Sequence, residues 1–216
     1  MCDVGSRVHH RTAIIDYGTG NLRSIWRALN RVGIAAEVVS HPNKVAAAEK
    51  IVLPGVGNFA RAMSSLRRLD LVQALNEAAL DRGVPVLGIC LGLQLMTQRS
   101  EESQAAGLGW LDAASVRFQP TDRERHKTPY IGWNSVEPIA ETRLLAGLSG
   151  EAEFYFLHSY YVAFPDTGNR EPVVAETTYG STFPSVIERG NLFGVQFHPE
   201  RSHHWGERVL KNFLAI

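Results

Sequence analysis

The sequence has few cysteines, no excess charge of either sign and no long apolar run. Its two cysteines, Cys2 and Cys90, lie far apart, which excludes a spaced disulfide framework and leads us to expect a reducing cytoplasm. Lysine plus arginine equals aspartate plus glutamate at 22 each, so charge does not indicate a nucleic acid or an anionic membrane as partner. Because no stretch approaches the roughly 18 apolar residues of a membrane span, we expect a soluble protein.

The chain is long enough for one large core. Of its 216 residues, 44% are hydrophobic, and no linker divides it convincingly. We therefore predict a single domain over residues 12–216. The segment 1–11, which precedes the first predicted strand, is predicted to be a disordered tail.

In the first half of the chain, short apolar runs alternate with apolar residues at helical spacing. This βαβ rhythm predicts a parallel sheet covered on both faces. The Trp26 and Leu29 stripe is typical of a helix face in the core. Strands are predicted at 12–16, 36–39, 50–53 and 84–89, and helices at 22–32, 59–69, 71–82 and 91–99.

From Gly107 onwards the sequence is rich in strand patterns. They predict an antiparallel extension, followed by a final helix at about 205–214. The polar stretch 119–128 is typical of an exposed loop.

Cys90 lies where an apolar strand runs into a helical pattern, in Gly88-Ile89-Cys90-Leu91-Gly92. A nucleophile at a strand-to-helix elbow needs small neighbours, and both glycines meet that demand, as in the G-x-S-x-G elbow with sulfur in place of oxygen. The dipole of the following helix would favour the reactive thiolate. Taken alone, the segment is explained about equally well by a buried structural cysteine.

His198 and Glu200 are separated by one residue at the end of another apolar strand, in GVQFHPERS. If the strand stays extended, both side chains project to the same face, because side chains alternate along a strand. His198 could then exchange a proton with Cys90 while Glu200 orients the imidazole. An isolated pair of this kind would be better explained as surface residues, but the Cys90 elbow favours a relay.

A third segment, LPGVGNF at 53–59, ends an apolar strand in a proline and two glycines. Glycine lets the backbone turn an N–H towards the oxyanion of a tetrahedral intermediate. The N–H of Leu91 could be the second donor. Alone, the segment is an ordinary turn, so its interpretation depends on the other two segments.

Together these segments resemble a known family. PGVGNF, GICLGLQ and QFHPE, in this order and at these separations, are similar to the class I, or triad-type, glutamine amidotransferases. More narrowly, IIDYGTGNL, VLPGVGNF, PYIGWN, FYFLHSYY and FGVQFHPERS resemble the glutaminase subunit of imidazole glycerol phosphate synthase. The resemblance implies an α/β, flavodoxin-like fold, in which helices flank a mostly parallel central sheet with an antiparallel C-terminal extension.

The resemblance implies a role for each matching residue. Cys90 would carry a γ-glutamyl thioester, His198 would act as general base and acid, and Glu200 would complete the triad, giving glutamate and ammonia. No metal and no cofactor is implied. Eight residues would lie around the substrate glutamine: Gly55, Val56, Gly57, Leu91, Gln94, His158, Ser159 and Tyr160.

The resemblance also implies a partner, a (β/α)8-barrel cyclase subunit that forms a heterodimer with the chain and receives ammonia through an internal tunnel. The products would be imidazole glycerol phosphate and an aminoimidazole ribotide, in histidine biosynthesis. Four residues would lie towards this interface: Asn21 in the DYGTGN loop, and Gly132, Trp133 and Asn134.

Departures from the family pattern leave alternatives open. The family commonly has an acidic residue where Gln98 stands, and more usually reads P-H-M-G-W-N where Tyr130 and Ile131 stand. One alternative is a paralogous subunit that feeds ammonia to another synthetase, such as one making an amidino sugar for a surface polysaccharide. Another is a non-catalytic interaction subunit. Zinc binding is not expected, because the histidines from His198 onwards lack the spacing of zinc ligands.

Overall fold

The computed structural model of the chain describes residues 11–122, 124–165 and 170–216. Apart from Arg11, the predicted tail at 1–11 lies outside the described residues. The strands are β1 Thr12–Ile15, β2 Ala36–Val39, β3 Lys50–Gly55, β4 Val86–Cys90, β5 Thr97–Ser100, β6 Ser103–Ala106, β7 Leu111–Arg117, β8 Tyr130–Ser135, β9 Glu137–Pro138, β10 Glu153–His158, β11 Tyr160–Ala163, β12 Val173–Thr178, β13 Thr182–Arg189 and β14 Leu192–Val195. The α-helices are α1 Leu22–Arg31, α2 Pro42–Ala46, α3 Phe59–Arg68, α4 Leu71–Asn76, α5 Leu91–Leu95 and α6 His203–Ala215.

An eight-stranded sheet forms the centre of the fold, in the order β2-β1-β3-β4-β14-β13-β12-β9. From β2 to β14 the neighbouring strands run parallel, and from β14 to β9 they pair antiparallel. The predicted parallel sheet with an antiparallel extension is therefore confirmed. Two smaller sheets, β10-β8 and β11-β7-β5-β6, complete the fold.

The central sheet is buried on both faces at strands β1, β3, β4 and β14, which are mostly apolar on both sides. Along β1, Ala13 and Ile15 pack into a cluster that contains residues of α3, α4 and α5. Ile14, between them, packs into a second cluster on the other face with residues of α1 and α6. The loops that follow β1, β3 and β4 leave the sheet at its carboxyl edge, where open α/β sheets hold their ligands.

The helix predicted over 91–99 is wrong beyond Leu95. Residues Thr97–Ser100 form β5, which pairs with β7 and β6. The hydroxyl of Thr97 donates to the Gln94 carbonyl at 2.8 Å, which satisfies a carbonyl at the end of α5. Strand pairing thus overrides the local helical spacing, and the strand-rich part begins before Gly107.

Smaller differences concern element ends and one side chain. The predicted helix 71–82 is α4 followed by a π-helical turn, Glu77–Asp81, and β4 starts two residues later than predicted. Trp26 is 43% exposed rather than in the core, because its indole lies at the sheet edge and donates to the Ala36 carbonyl at 3.1 Å. Among the described residues, no helix is long and apolar enough to cross a membrane.

Candidate active site

Cys90 is the last residue of β4 and immediately precedes α5. Its φ of +53° is a left-handed conformation that residues with a side chain rarely adopt. The helix packs so closely behind it that a Cβ on Gly92 would lie 1.8 Å from the Leu53 oxygen. A Cβ on Gly88 would lie 2.7 Å from the Leu93 nitrogen. The elbow therefore depends on both glycines, as the sequence predicts.

His198 and Glu200 meet in a buried pair after β14. The Nδ1 atom of His198 lies 2.9 Å from Oε1 of Glu200, and both side chains are almost completely buried. The backbone is not the extended strand that the sequence predicts, since a 3₁₀ turn begins at Pro199. Two contacts fix the turn: the His198 amide donates to the Tyr155 carbonyl at 2.9 Å, and the Ser202 hydroxyl donates to the His198 carbonyl at 2.7 Å.

The charge on His198 depends on its two neighbours. Burial disfavours the imidazolium, but the negative charges of Cys90 and Glu200 outweigh burial and raise the pKa of His198 to about 10. The Nε2 atom is buried and has no hydrogen-bond partner of good geometry among the described residues. With Nδ1 bound to Glu200, Nε2 is the atom left to exchange a proton with the Cys90 sulfur.

A cavity of about 210 Å³ opens beside the Cys90 sulfur. Among the eight residues predicted to surround glutamine, Gly55 alone does not line this cavity; it lies behind it, at the end of β3. The lining residues are Val56, Gly57, Cys90, Leu91, Gln94, Pro129, Leu157, His158, Ser159 and Tyr160. Segments far apart in the sequence thus meet around Cys90.

Gly55 and the glycine loop after it are held by a side chain that the sequence analysis missed. Tyr17, completely buried after β1, donates its hydroxyl to the Pro54 carbonyl at 2.6 Å. A Cβ on Gly55 would lie 2.6 Å from that hydroxyl. Gly57 has a φ of +101°, which favours glycine. The loop after β3 is therefore fixed by the DYGTGN loop.

His158 and Gln94 share one acceptor on the far side of the cavity. Nδ1 of His158 lies 3.1 Å, and Nε2 of Gln94 2.7 Å, from the Tyr160 carbonyl oxygen. Burial lowers the pKa of His158 to about 3, the hydrogen bond to Tyr160 partly offsets this, and the charge on His198 adds to it. His158 is therefore a neutral ring whose tautomer carries its proton on Nδ1.

Gln196 is the other residue that the sequence analysis missed. Its side chain is completely buried, and its Nε2 atom lies 3.5 Å from the Cys90 sulfur. The signal was the single polar residue within the apolar run LFGVQF. A lone buried side-chain amide directly after a central strand has no stable environment unless it is hydrogen bonded.

Comparison with known proteins agrees with this geometry. The family model described as glutamine amidotransferase class-I matches residues 13–216. The chain belongs to this family. It is 49% identical over 202 residues to the imidazole glycerol phosphate synthase subunit HisH of Moorella thermoacetica, covering 93% of this chain and 92% of the relative. It is 42% identical over 203 residues to the protein named subunit HisH 2 of Pseudomonas aeruginosa, covering 94% and 98%.

Solved structures support the fold of this class I amidotransferase. The structure of PurLQS from Thermotoga maritima matches with a TM-score of 0.75 at 22% identity, covering 96% of this chain and 98% of that one. A structure described as a glutamine amidotransferase matches with a TM-score of 0.71 at 20% identity, covering 94% and 97%. The resemblance identified from the sequence motifs is therefore confirmed.

The four residues predicted at the interface lie on two elements of this amidotransferase. Asn21 caps α1, where its side chain accepts from the Ser24 amide at 3.3 Å. Gly132, Trp133 and Asn134 lie in β8. Trp133 is 43% exposed and its indole stacks on the His203 ring at 5.1 Å.

The departures from the family pattern lie in different places. Gln98 does not line the cavity, because its side chain is exposed on β5 and donates to Asp112 at 3.0 Å. Tyr130 is buried and stacks on Tyr179 with ring centroids 3.8 Å apart. Ile131, by contrast, is 57% exposed. The described residues contain no group of three or more potential ligands that could hold a metal ion.

Proposed function

We propose that this chain is the glutaminase subunit of an imidazole glycerol phosphate synthase, a HisH subunit, and that it supplies ammonia for histidine biosynthesis. The observation that carries the proposal is the strained Cys90 elbow beside the buried His198–Glu200 pair, with a cavity opening at the sulfur. The identities of 42% and 49% to HisH subunits support this choice of pathway.

In the first half of the reaction, the Cys90 thiolate attacks the side-chain amide carbon of glutamine. The electron pair of the C=O bond moves to the oxygen, which would be stabilised by the N–H of Leu91 and by an N–H of the Gly55–Gly57 loop. His198 then donates a proton to the amide nitrogen as the C–N bond breaks. Ammonia leaves, and a γ-glutamyl thioester remains on Cys90.

In the second half, His198 takes a proton from water, and the oxygen attacks the thioester carbon. The C–S bond breaks, glutamate leaves and the thiolate is restored. Glu200 stabilises the imidazolium each time it forms and holds Nε2 towards the sulfur. The balance is one glutamine and one water consumed, with one glutamate and one ammonia released.

The substrate glutamine would lie in the cavity with its amide at Cys90 and its amino-acid end towards Gln94 and the 158–160 segment. These cavity residues belong to different segments, so binding depends on the folded arrangement. The cavity, about 210 Å³, is smaller than the roughly 300–1,000 Å³ of drug-sized ligand pockets, which favours a small ligand.

Ammonia released here needs an acceptor nearby, because free ammonia is protonated and lost to solvent. The partner we propose is a (β/α)8-barrel cyclase in the cytoplasm, docked against Asn21 and β8 residues 132–134. An aromatic side chain that is half exposed, as Trp133 is, is a frequent feature of protein interfaces. Tying turnover to the partner would limit the waste of glutamine.

The proposal is tested with Cys90→Ser in the complex with the cyclase. We expect glutamine-dependent formation of imidazole glycerol phosphate to fall at least about 10³-fold, as for other removed nucleophiles. Synthesis with added ammonium salt in place of glutamine should be unchanged, which shows that the complex is intact. Undiminished glutamine-dependent synthesis by the variant would refute the proposal.

The pathway is tested separately by the identity of the partner. A HisH subunit should co-purify with a barrel-type cyclase and close the imidazole ring with nitrogen from glutamine. The histidine pathway would be contradicted if the chain co-purified with an amidino-sugar synthetase and a mixture of the chain with the cyclase were inactive. That result would not contradict the glutaminase chemistry.

A further inference from the structure

Gln196 is a buried polar side chain beside the Cys90 sulfur, outside the Cys90, His198 and Glu200 triad. Gln196 follows β14 directly, and its backbone N–H donates to the Ser185 carbonyl at 2.9 Å. Its side chain is completely buried. Burying an amide without hydrogen bonds costs roughly 1–3 kcal/mol by mutational measures, so each of its contacts needs an explanation.

A fixed acceptor determines which way the Gln196 amide points. The Tyr160 carbonyl can only accept, so the atom of Gln94 that lies 2.7 Å from it must be the nitrogen. The same Gln94 nitrogen lies 3.3 Å from the nearer atom of the Gln196 side-chain amide. Because this nitrogen is a donor, that Gln196 atom must be the oxygen. The Gln196 nitrogen must then face the Cys90 sulfur, 3.5 Å away.

We propose that Gln196 is a catalytic residue that stabilises the Cys90 thiolate through its side-chain N–H. This inference rests on the proposed function, since it assigns a further residue to the same reaction. A thiol sulfur is a weak acceptor, whereas a hydrogen bond to a full negative charge is about twice as strong as a neutral one. The donor therefore favours the charged sulfur over the neutral one.

The donor acts at two points of the cycle. Before attack it holds the thiolate at the elbow, opposite the carbonyl of Leu157, which can accept only from the protonated thiol. When the thioester is hydrolysed, negative charge returns to the sulfur, and the same N–H stabilises the departing thiolate. The Gln94 contact keeps the amide from turning its oxygen to the sulfur, which would repel the charge.

Three substitutions separate a catalytic role of Gln196 from a purely structural one. Methionine has a similar length, no branching and no donor, so Gln196→Met would fill the same buried space. Gln196→Glu keeps the shape and places an acceptor or a negative charge beside the sulfur. The matched control is Ser185→Ala, because the Ser185 hydroxyl is buried on the neighbouring strand and has no hydrogen-bond partner among the described residues.

The test is the pH dependence of Cys90 alkylation by iodoacetamide in the full chain, which requires neither glutamine nor a partner. With Gln196→Met, we expect the pH of half-maximal rate to rise by about one unit. The rise should be larger with Gln196→Glu and absent with Ser185→Ala. In the complex, kcat of Gln196→Met should fall about tenfold, in line with the same free energy, with KM within about twofold of native.

A second measurement on the native chain covers the case in which a variant does not fold. The side-chain N–H₂ resonances of Gln196 should shift with pH at the same midpoint as the alkylation rate. The catalytic role of Gln196 would be overturned if a folded Gln196→Met variant had the native alkylation profile. It would also be overturned if the Gln196 side-chain resonances did not shift at the midpoint of the alkylation rate. Failure of the proposed function would give a different result. The native complex would then not hydrolyse glutamine, while the Gln196 variants would still shift the pH of half-maximal Cys90 alkylation.

Discussion

Replacing His158 with asparagine should make the folded protein less sensitive to mild acid. The native ring is buried among aromatic side chains, including Phe118, Tyr130 and Phe183 at centroid distances of 5.9, 5.6 and 5.1 Å. Burial lowers the pKa of His158 to about 3, from the ordinary value of 6.5. At pH 5 the folded state therefore keeps the ring neutral, whereas the unfolded chain protonates it.

The size of the effect follows from proton linkage. A lowered pKa contributes stability that is fully present above pH 6.5 and is lost progressively as the pH falls towards 3. Each pH unit in this window costs about 1.4 kcal/mol of unfolding free energy. Between pH 7 and pH 5 the loss attributable to His158 is therefore about 2 kcal/mol.

The assay is urea unfolding at pH 7 and pH 5 for the native chain, His158→Asn and the exposed control His41→Asn. The loss of stability on acidification should be about 2 kcal/mol smaller for His158→Asn than for the native chain, and equal for the control. Carboxylates that titrate between pH 7 and pH 5 do so in all three proteins, so their contribution cancels between proteins. The hydrogen bond to Tyr160 is lost in His158→Asn at both pH values, so its contribution cancels between the two pH values. A double difference below about 0.5 kcal/mol would refute the buried, neutral ring.

Two further predictions concern the elbow and the relay. Gly92→Ala places a Cβ 1.8 Å from the Leu53 oxygen, so we expect the free energy of unfolding, measured with urea, to fall by about 1–3 kcal/mol or more. In the control Gly150→Ala the new Cβ meets nothing within 4 Å, so the free energy of unfolding should not change. Glu200→Gln removes a charge that raises the pKa of His198, so kcat in the complex should fall about 10- to 100-fold, and the alkaline limb of its pH profile should move to lower pH. An unchanged alkaline limb would contradict this role for Glu200.

Local patterns were sufficient for the parallel half of the fold. The apolar strands and helical stripes up to Cys90 are determined by periodicity and by glycine, so β1 to β4, α1 and α3 lie close to their predicted positions, whereas the short helix α2 was not predicted. The stretch after α5 was mispredicted, because β5 depends on pairing with β7, which a local window cannot detect. Trp26 was misplaced for the same reason, since its exposure depends on where the sheet ends.

The candidate site was predictable to the extent that each motif restricts its own backbone. The elbow follows from Gly88 and Gly92, and the contact of His198 with Glu200 forms even though a 3₁₀ turn replaces the expected strand. Gln196 and Tyr17 were missed because their partners lie on other strands. Contacts between distant segments require the fold itself.

The central claim is that Cys90 carries the glutamyl group during turnover. The most direct measurement is acid quenching of the complex with the cyclase shortly after glutamine is added, followed by mass spectrometry of the peptide that contains Cys90. We expect a γ-glutamyl adduct on Cys90 in the native complex and none at this position in Cys90→Ser. Glutamate formation by the native complex without any adduct on Cys90 would contradict it.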